Sequence, residues 1–476
     1  MLQQFRLESC DEAERGVGGV TEIRVLSASG QIGSGFLEAS FARGIALQPH
    51  VIACDAGSTD AGPYYLGSGK PHFPRAGVKR DMRLMMLGRR QAGVPLIIGS
   101  CGFAGGDAGV DWMVDIVREI AREEGLRFRL ATVRSEQDKA YLKQRLREGR
   151  ITPLNPAPPI SEAIIDGSAH IVGMMGHAPI ARAVDQGAEI VLCGRATDTS
   201  LFATVPLMRG AGAGPAWHAA KILECGTAAT VIRKRPDCIM AWVRDDHFDI
   251  EPMDLDSQCS PQSVASHTLY ENADPFLITE PDGTIDCHAS RYEALNDRAV
   301  RVYGSRFIPS GRTTIKLEGA ASAGFQAIIV AGVREPYILR QLDTWLDAMR
   351  ERFKARVQEI FGGRVGPDAY DIHVRVYGRD GVMGRLEPLA HQMGHEVGLL
   401  FTVTAADEPT VDSIAKTFAH FALHYPIPEW GGLISGLAFP MAPAHVVRGE
   451  VFRFNLNHIV TPDDPLEMFR TELVEV

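Results

Sequence analysis

The stretch Val191-Leu-Cys-Gly-Arg-Ala-Thr-Asp-Thr-Ser200 decides the fold, because a short apolar run stops there at a glycine and polar side chains follow at once. A buried parallel strand ends in this way when the carboxyl edge of its sheet carries chemistry, since the fold leaves a crevice at that edge. The first residues after the strand line the crevice. Arg195 and Asp198 are therefore the first candidates for a functional site.

The same pattern occurs in three earlier segments. Apolar runs within residues 23–30, 49–60 and 95–102 end in glycines and small polar residues, and stretches of helical character follow, most clearly at 79–92 and 112–124. Strands that alternate with helices at this spacing predict an α/β fold with a doubly wound, mostly parallel sheet. The carboxyl edge of that sheet is expected to gather Ser29, Asp55, Ser58, Ser100, Cys101, Arg195 and Asp198.

A change of pattern after residue 226 predicts a domain boundary. Before it, strands and helices alternate, and the proline-rich stretch 149–159 is an excursion within that alternation. After it, several apolar strands follow one another without intervening helices, and two helices are predicted at 337–361 and 409–424. We therefore predict a Rossmann-like α/β domain at residues 1–226 and an α+β domain at residues 227–476, with a sheet covered by helices.

The composition is that of an ordinary globular protein. The 476 residues are 45% hydrophobic and 23% charged, which is enough chain for at least two cores. A formal net charge of -10 and the lack of a run of Lys and Arg argue against nucleic-acid binding. No apolar stretch approaches the ~18 residues of a membrane span, and the N-terminal segment lacks the apolar core of a signal peptide. We expect a cytoplasmic protein without a membrane partner.

Two features of the chain admit structural and functional interpretations. The eight cysteines contain no CxxC pair, so reduced, buried thiols are favoured over a zinc or redox site, with Cys101 as the one candidate for a catalytic thiol. The loop at 425–440 is too apolar for a solvated linker and too rich in proline and glycine for a helix. It is expected to pack on its own domain, over an inter-domain cleft as a lid, or on another subunit.

His267-Thr-Leu-Tyr-Glu-Asn272 is a second chemical cluster, because it holds an imidazole, a phenol and a carboxylate within six residues. In a helix His267, Tyr270 and Glu271 are neighbours, whereas in a strand His267 and Glu271 share one face. Histidine and glutamate transfer protons near neutral pH, and tyrosine can hold or protonate a leaving oxygen. The structural alternative is a capped turn in which His267 and Asn272 satisfy backbone groups.

Several further residues are candidates for binding an anion or a metal. The glycine-rich turn at 27–35, with Ser29 and Gly30, can hold a carboxylate or phosphate at a helix N-terminus, although it matches neither G-x-G-x-x-G nor a P-loop. Lys316 lies two residues from Glu318 on a predicted strand, so the two share a face as a catalytic or a solvated ion pair. No cofactor is evident. A divalent metal on Asp55, Asp60 and Asp198 is an open alternative.

Five motifs occur in an order that resembles the acyclic terpene utilisation (AtuA-like) family over nearly the whole chain. They are Cys-Asp-Ala-Gly-Ser-Thr-Asp at 54–60, Cys-Gly-Arg-Ala-Thr-Asp-Thr-Ser at 193–200, Leu-Glu-Cys-Gly at 223–226, His-Thr-Leu-Tyr-Glu-Asn at 267–272 and Lys-Leu-Glu-Gly-Ala at 316–320. The resemblance implies catabolism more than a particular substrate. It also implies a small companion domain, encoded separately or fused.

These observations predict a catabolic enzyme that acts on a small or medium carboxylate, such as a hydroxy acid, or on its thioester. With no redox motif and no nucleophile elbow, a lyase or hydro-lyase (hydratase) that uses acid-base chemistry is favoured. Alternatives are a hydrolase of an ester or lactone, and a non-catalytic ligand-binding or scaffold subunit of a complex with a small companion protein. A homo-oligomer is expected. The catalytic candidates are His267, Tyr270, Glu271, Asp55 and Asp198, and the substrate-binding candidates are Arg195, Ser58, Ser29, Gly30, Ser100 and Lys316.

Overall fold

A computed structural model describes residues 22–232, 234–430 and 435–476. The chain forms two compact units. The first contains the described residues up to Ala320 together with Phe454–Val476, and the second is Ala321–Arg453.

The first unit alternates strands and helices over its first half and is richer in strands over its second half. Its helices are α1 (Glu38–Ala46), α2 (Tyr64–Ser68), α3 (Arg75–Ala92), α4 (Asp107–Glu124), α5 (Lys139–Arg147), α6 (Glu162–Asp166), α7 (His177–Asp185), α8 (Asp198–Met208), α9 (Ala213–Leu223) and α10 (Pro261–Thr268). Its strands are β1 (Ile23–Ser27), β2 (Val51–Asp55), β3 (Leu96–Gly99), β4 (Arg129–Arg134), β5 (Ile151–Pro153), β6 (His170–Gly173), β7 (Ile190–Cys193), β8 (Ile239–Val243), β9 (His247–Pro252), β10 (Leu277–Glu280), β11 (Gly283–Asp286), β12 (Arg291–Ala294), β13 (Val300–Tyr303) and β14 (Arg306–Pro309).

The remaining elements complete both units. Strand β15 (Ile315–Val333) starts in the first unit and ends in the second, which contains α11 (Pro336–Leu339), α12 (Leu342–Phe361), β16 (Tyr370–Tyr377), β17 (Val397–Ala405) and α13 (Glu408–Leu423). Strand β18 (His445–Val460) returns to the first unit, where β19 (Arg470–Glu475) follows. Among the described residues, none of these helices is long and apolar enough to cross a membrane.

A ten-stranded sheet forms the centre of the first unit, in the order β12-β13-β9-β8-β1-β2-β3-β7-β4-β19. The five central strands, β1, β2, β3, β7 and β4, are parallel to their neighbours in this group. Strands at both edges are antiparallel, so the sheet as a whole is mixed. The predicted α/β class and its parallel core are confirmed.

Helices cover both faces of this central sheet because consecutive side chains of a strand point to opposite sides. Leu26, Ile52 and Ile98 pack in one apolar core with residues of α1, α3 and α4. Their neighbours Val25, Val51 and Ile97 belong to a second core with residues of α7, α8 and α9. The strands buried on both faces explain the continuous apolar runs in the sequence.

The division into units differs from the predicted boundary between residues 226 and 227, which lies inside the first unit. The reason is that β8 pairs antiparallel with β1, with Ile23 opposite Val243, and that β9, β13 and β12 continue the same sheet outward. The antiparallel strands β8, β9, β13 and β12 therefore extend the central sheet, whereas β10, β11 and β14 form a separate three-stranded sheet.

The second unit is a sheet packed against helices. Residues 325–333 of β15 pair antiparallel with β17, and β17 pairs antiparallel with β16. Trp345 and Phe353 of α12 and Phe418 of α13 are buried with Phe401 of β17 in one apolar core.

The described part of the apolar loop at 425–440 joins the core of the second unit. Ile427 and Leu437 are buried in it, and the indole Nε1 of Trp345 donates a hydrogen bond to the carbonyl of Pro426 at 3.0 Å. Residues 431–434 of the loop lie outside the described residues. Of the three predicted positions for the loop, packing on its own unit is the one that these contacts support.

Candidate active site

Three neighbouring parallel strands end at one edge of the central sheet and bring polar residues together there. Asp55 is the last residue of β2, Ser100 follows β3, and Arg195 follows β7. Nη1 of Arg195 lies 3.3 Å from the hydroxyl oxygen of Ser100 and 3.6 Å from a carboxylate oxygen of Asp198. The structure thus places Arg195, Ser100, Asp198 and Asp55 at one carboxyl edge, as the strand pattern predicts.

Arg195 is buried, at 6% exposure, and most of its donors are engaged. Its Nε donates to a carboxylate oxygen of Glu318 at 2.8 Å, and its Nη1 donates to the carbonyl of Ala196 at 3.1 Å as well as to Ser100. Its Nη2 makes no hydrogen bond to any described residue. The guanidinium is therefore held in one orientation with one amino group left for a ligand.

The backbone of Arg195 is fixed by a close approach to Gly105. The amide of Arg195 donates to the carbonyl of Gly105 at 3.1 Å, and a Cβ on Gly105 would lie 2.2 Å from that amide nitrogen. Gly105 also has a φ of +69°, a conformation that favours glycine. This explains one glycine of the turn after β3.

Glu318 anchors Arg195 and is itself the centre of several contacts. One of its oxygens accepts hydrogen bonds from Nζ of Lys316 at 2.8 Å and from the hydroxyl of Thr59 at 2.9 Å. Burial opposes its charge, but Arg195 and Lys316 hold the pKa of Glu318 down at about 2. Lys316 therefore acts on the site through Glu318, in a partly buried ion pair that positions Arg195.

Asp55 and Asp198 are carboxyl groups whose pKa values are raised. Burial, and next the charge of Asp198, raises the pKa of Asp55 well above its ordinary value. One oxygen of Asp55 accepts the amide of Gly57 at 3.0 Å, and the other, Oδ1, is buried without a partner among the described residues. Burial also raises the pKa of Asp198, with Glu271 adding to it and Arg195 opposing it. The side chain of Asp198 nevertheless keeps 37% exposure, so a ligand can reach it.

Three further charged residues belong to this group, although the sequence analysis did not select them: Lys221, Glu224 and Glu280. Nζ of Lys221 lies 2.5 Å from Glu224, and the hydroxyl of Thr199 donates to Oε1 of Glu280 at 2.6 Å. Burial raises the pKa of Glu280 to about 7, and its Oε2 is buried without a partner among the described residues. Burial raises the pKa of Glu224 as well.

We call these buried or recessed acids the carboxyl cluster: Asp55, Asp198, Glu224, Glu280 and Glu318. Its cations are Arg195, Lys221 and Lys316. Because the carboxyl groups outnumber the cations, the cluster retains protons that exposed carboxylates would lose. Groups that exchange protons near neutral pH are typical of functional sites.

Sequence reasoning missed Lys221, Glu224 and Glu280, although one signal was present. Every residue from Gly214 to Leu223 of α9 is buried, and Lys221 is the one residue among the Lys, Arg, Asp and Glu types in that helix. A lysine in such a position requires a carboxylate partner. The motif at 223–226 supplies it through Glu224.

Of the five described non-glycine residues with positive φ, three lie near this site, two after β3 and one after α10. Ser100, Phe103 and Glu271 have positive φ values of 44°, 107° and 60°. Such conformations cost on the order of 1–3 kcal/mol each and persist where the surrounding structure imposes them. Strain beside Arg195, through Ser100, and beside Asp198, through Glu271, is consistent with a functional site at this sheet edge.

The segment 267–272 is helical at its start and lies against the same site. His267 belongs to α10, is buried, and stacks on Tyr270 with ring centroids 5.7 Å apart. The charge of Glu271 acts on Asp198, and a hydrogen bond to Glu271 raises the pKa of Tyr270. The side-chain amide of Asn272 donates to the carbonyl of Thr268 at 2.7 Å, which caps the helix as the structural alternative predicts.

A cavity of about 630 Å³ lies beside this segment. Its walls include His267, Tyr270, Cys225, Ser263 and Ser266. This volume is within the range of pockets that hold small molecules. The cavity and the carboxyl cluster are linked by charge, since Glu271 and Lys221 act on Cys225 in its wall.

The predicted anion site in the glycine-rich turn after β1 is already filled by the protein. The amides of Gly33 and Gly35 donate to one oxygen of the buried Asp81 at 2.9 and 3.0 Å. Gly30 is in close contact with the backbone of Cys225, because a Cβ there would lie 2.6 Å from its carbonyl carbon. The hydroxyl of the fully buried Ser29 donates to the carbonyl of Gln31 at 3.3 Å. Their roles in this turn are packing and internal hydrogen bonding.

The side chain of Ser58 makes its hydrogen bond within its own turn. Its hydroxyl donates to the exposed carboxylate of Asp60. The neighbouring Thr59, one residue along the turn, is the hydroxyl that contacts Glu318. The turn therefore contributes to the site through a residue that the sequence did not single out.

The positions of the described side chains do not support the alternatives of a metal site or a catalytic thiol. In the described ranges, no group of three or more His, Cys, Asp or Glu side chains is arranged to hold a metal ion. The seven described cysteines are free, and burial raises the pKa of Cys54, Cys101 and Cys193. A thiol that stays protonated is a poor nucleophile. Cys101 is consistent with a buried structural thiol.

Comparison with known proteins gives one match. The model of the family described as "Acyclic terpene utilisation family protein AtuA" matches residues 97–231 and 245–445. These ranges contain Arg195, Asp198, Lys221, Glu280 and Glu318. No curated protein and no solved structure matches the chain.

Proposed function

The chain belongs to the acyclic terpene utilisation family, and we propose that it is an enzyme acting on a carboxylate, such as a hydroxy acid, or on its thioester. Membership in this family implies a role in acyclic terpene catabolism. The proposed reaction is that of a hydro-lyase, in which acid-base groups add or remove water. It is supported by the side chains of the carboxyl cluster.

The observation that carries the proposal is the raised pKa of Glu280, at about 7, in the same cluster as Asp198, whose carboxylate lies 3.6 Å from Nη1 of Arg195. A catalytic acid or base is most effective when its pKa lies near the working pH. Glu280 Oε2 and Asp55 Oδ1 are both buried without partners among the described residues, so each is suited to hold a proton. Nη2 of Arg195 is available for a substrate carboxylate or thioester oxygen.

Removal of water from a β-hydroxy acid or its thioester needs one base and one acid. In the proposed step Asp198, whose charged form Arg195 and Lys221 favour against the effect of burial, takes the proton from the carbon next to the carbonyl. The electron pair of that C–H bond forms the new C=C bond as the C–O bond breaks. Protonated Glu280 supplies its proton to the departing hydroxyl, which leaves as water. Transfer of the proton from Asp198 back to Glu280 restores both groups.

His267, Tyr270 and Glu271 line or adjoin the cavity and are the second set of candidates for proton transfer. Tyr270 and Glu271 are exposed, whereas His267 is buried in the cavity wall. Their position supports a role in holding the substrate hydroxyl near Asp198. The capping contact of Asn272 supports a structural role for the same segment.

The test is an exchange experiment on the purified chain. A saturated acyclic terpenoid hydroxyacyl thioester is incubated in D₂O, and deuterium at the carbon next to the carbonyl is measured by mass spectrometry together with alkene formation. Wild-type protein is expected to catalyse both, and Glu280→Gln to slow both by roughly 10²- to 10⁴-fold. The matched control is Glu359→Gln, which changes an exposed glutamate of the second unit.

The other outcomes contradict the proposal in different ways. Release of the free acid without exchange or alkene formation indicates a thioester hydrolase. Substrate binding without turnover, both alone and with a small companion protein encoded nearby, indicates a binding or scaffold subunit. Equal rates for Glu280→Gln and wild type remove Glu280 from the mechanism.

A further inference from the structure

The second unit contains a cavity of about 460 Å³ that the proposed reaction does not use. Its walls are helix α12, strand β16 and the loop that follows β16. Strand β16 is the last strand of its sheet, so the cavity lies at a sheet edge. Four arginines line it: Arg350, Arg375, Arg379 and Arg385.

Two of these arginines are fixed by ion pairs and each retains an unsatisfied donor. Arg379 donates to Asp343 at 2.7 Å and to Asp380 at 3.2 Å, and Arg350 donates to Asp347 at 2.5 Å. The Nε atoms of Arg379 and Arg350 are both buried without a hydrogen-bond partner among the described residues. Buried polar groups are nearly always hydrogen-bonded, and an exception often marks a bound ion or water.

The other two arginines have no fixed partner. Arg375 and Arg385 are exposed, and neither makes an ion pair or a side-chain hydrogen bond with a described residue. His373 lies two residues before Arg375 on β16, and its side chain therefore faces the same side of the strand. The three aspartates of the cavity are already paired with Arg350 and Arg379. The charges of Arg375 and Arg385 are therefore left uncompensated.

We propose that this cavity binds the phosphate or diphosphate group of a small molecule. Guanidinium groups donate in a planar fork that matches phosphate oxygens, and several of them converge here. A carboxylate has only two oxygens, whereas a phosphate offers three or four acceptors and up to two negative charges. The guanidinium groups of Arg375 and Arg385, which are exposed at the cavity and have no partner among the described residues, suit that larger number of acceptors.

The size and charge of the surroundings favour a small ligand over a nucleic acid. The cavity volume is that of a small-molecule pocket. The chain has a net charge of -10, which does not suit a polyanionic strand. This phosphate site lies in the second unit, whereas the proposed reaction uses the carboxyl cluster of the first unit. Either proposal can therefore fail without the other.

The test measures binding of inorganic pyrophosphate to the full chain by isothermal titration calorimetry, with ionic strength held constant by sodium chloride. Wild-type protein is expected to bind one equivalent of pyrophosphate. The double variant Arg375→Gln/Arg385→Gln is expected to bind it roughly 10- to 100-fold more weakly, the effect of one or two charged hydrogen bonds. Arg90→Gln is the matched control, because it removes one exposed arginine of the first unit and should leave binding unchanged.

Three results overturn the proposal: no binding of pyrophosphate, equal binding by the double variant and wild type, or tighter binding of citrate than of pyrophosphate. A further variant separates charge from geometry. Arg375→Lys keeps the charge but loses the fork, so its affinity should fall between those of wild type and Arg375→Gln. The melting temperature without ligand should be the same for wild type and for every one of these variants, because Arg90, Arg375 and Arg385 have no side-chain partner among the described residues to lose.

Discussion

The carboxyl cluster of the first unit and the arginine-lined cavity of the second use the same kinds of side chain with opposite results. In the cluster, acids outnumber cations and burial raises the pKa of Glu280 to about 7. In the cavity, arginines outnumber aspartates, and the side chains of Asp343 and Asp347 are 73% and 67% exposed. Burial without a paired cation raises the pKa of a carboxyl group such as Glu280 toward neutral pH, whereas exposed charges stay ionised and suited to binding ions.

The largest expected effect comes from breaking the buried pair of the first unit. Glu318→Gln removes the carboxylate that meets Nε of Arg195 at 2.8 Å and leaves the cation poorly compensated. Breaking such a pair costs about 3–5 kcal/mol of the free energy of unfolding. Urea denaturation followed by circular dichroism measures the change, and Glu293→Gln, on exposed β12, is the control. A loss below about 1 kcal/mol would show that solvent reaches this pair.

The second prediction concerns how the free energy of unfolding depends on pH through Glu280. The pKa of Glu280 is about 7 in the folded protein and near its ordinary value of 4.5 in the unfolded chain. Between these values the folded state holds a proton that the unfolded state has lost, so stability falls as pH rises from about 4.5 to 7. Glu280→Gln lacks this dependence. Its stability relative to wild type should rise by on the order of 3 kcal/mol between pH 4.5 and pH 8.

Urea denaturation at a series of pH values measures that difference, and Glu359→Gln serves as the exposed control. A difference that stays constant with pH would mean that the pKa of Glu280 is the same in the folded and unfolded states, so that Glu280 is charged near neutral pH. In that case Glu280 could not act as the proposed acid near neutral pH.

The parts of the site that the sequence predicts are those encoded locally. Asp55, Ser100, Arg195 and Asp198 follow apolar runs directly, and parallel strands bring such positions to one edge. Glu280 is different, because it meets Thr199 only through a contact between residues 81 positions apart. A pattern within a short stretch of sequence cannot predict a contact between residues so far apart in the chain.

Two other differences between the sequence predictions and the structure have similar causes. A turn can present either of two adjacent hydroxyls, so the pattern did not distinguish Ser58 from Thr59. The antiparallel pairing of β8 with β1 places strands after residue 226 in the first sheet. Strand pairing of this kind is set by tertiary contacts, whereas periodicity reports only that a strand exists.

The last prediction concerns an exposed ion pair of the second unit, whose loss should change the free energy of unfolding least. Asp343→Asn breaks the ion pair with Arg379, whose N···O distance of 2.7 Å is close to the 2.8 Å of Arg195 and Glu318. Because Asp343 is 73% exposed, water replaces the lost partner, and the free energy of unfolding should change by less than about 1 kcal/mol. Measuring urea denaturation at low and high salt checks this, since screening should shrink the difference further. A loss as large as that of Glu318→Gln would mean that distance, and not burial, sets the strength of both pairs.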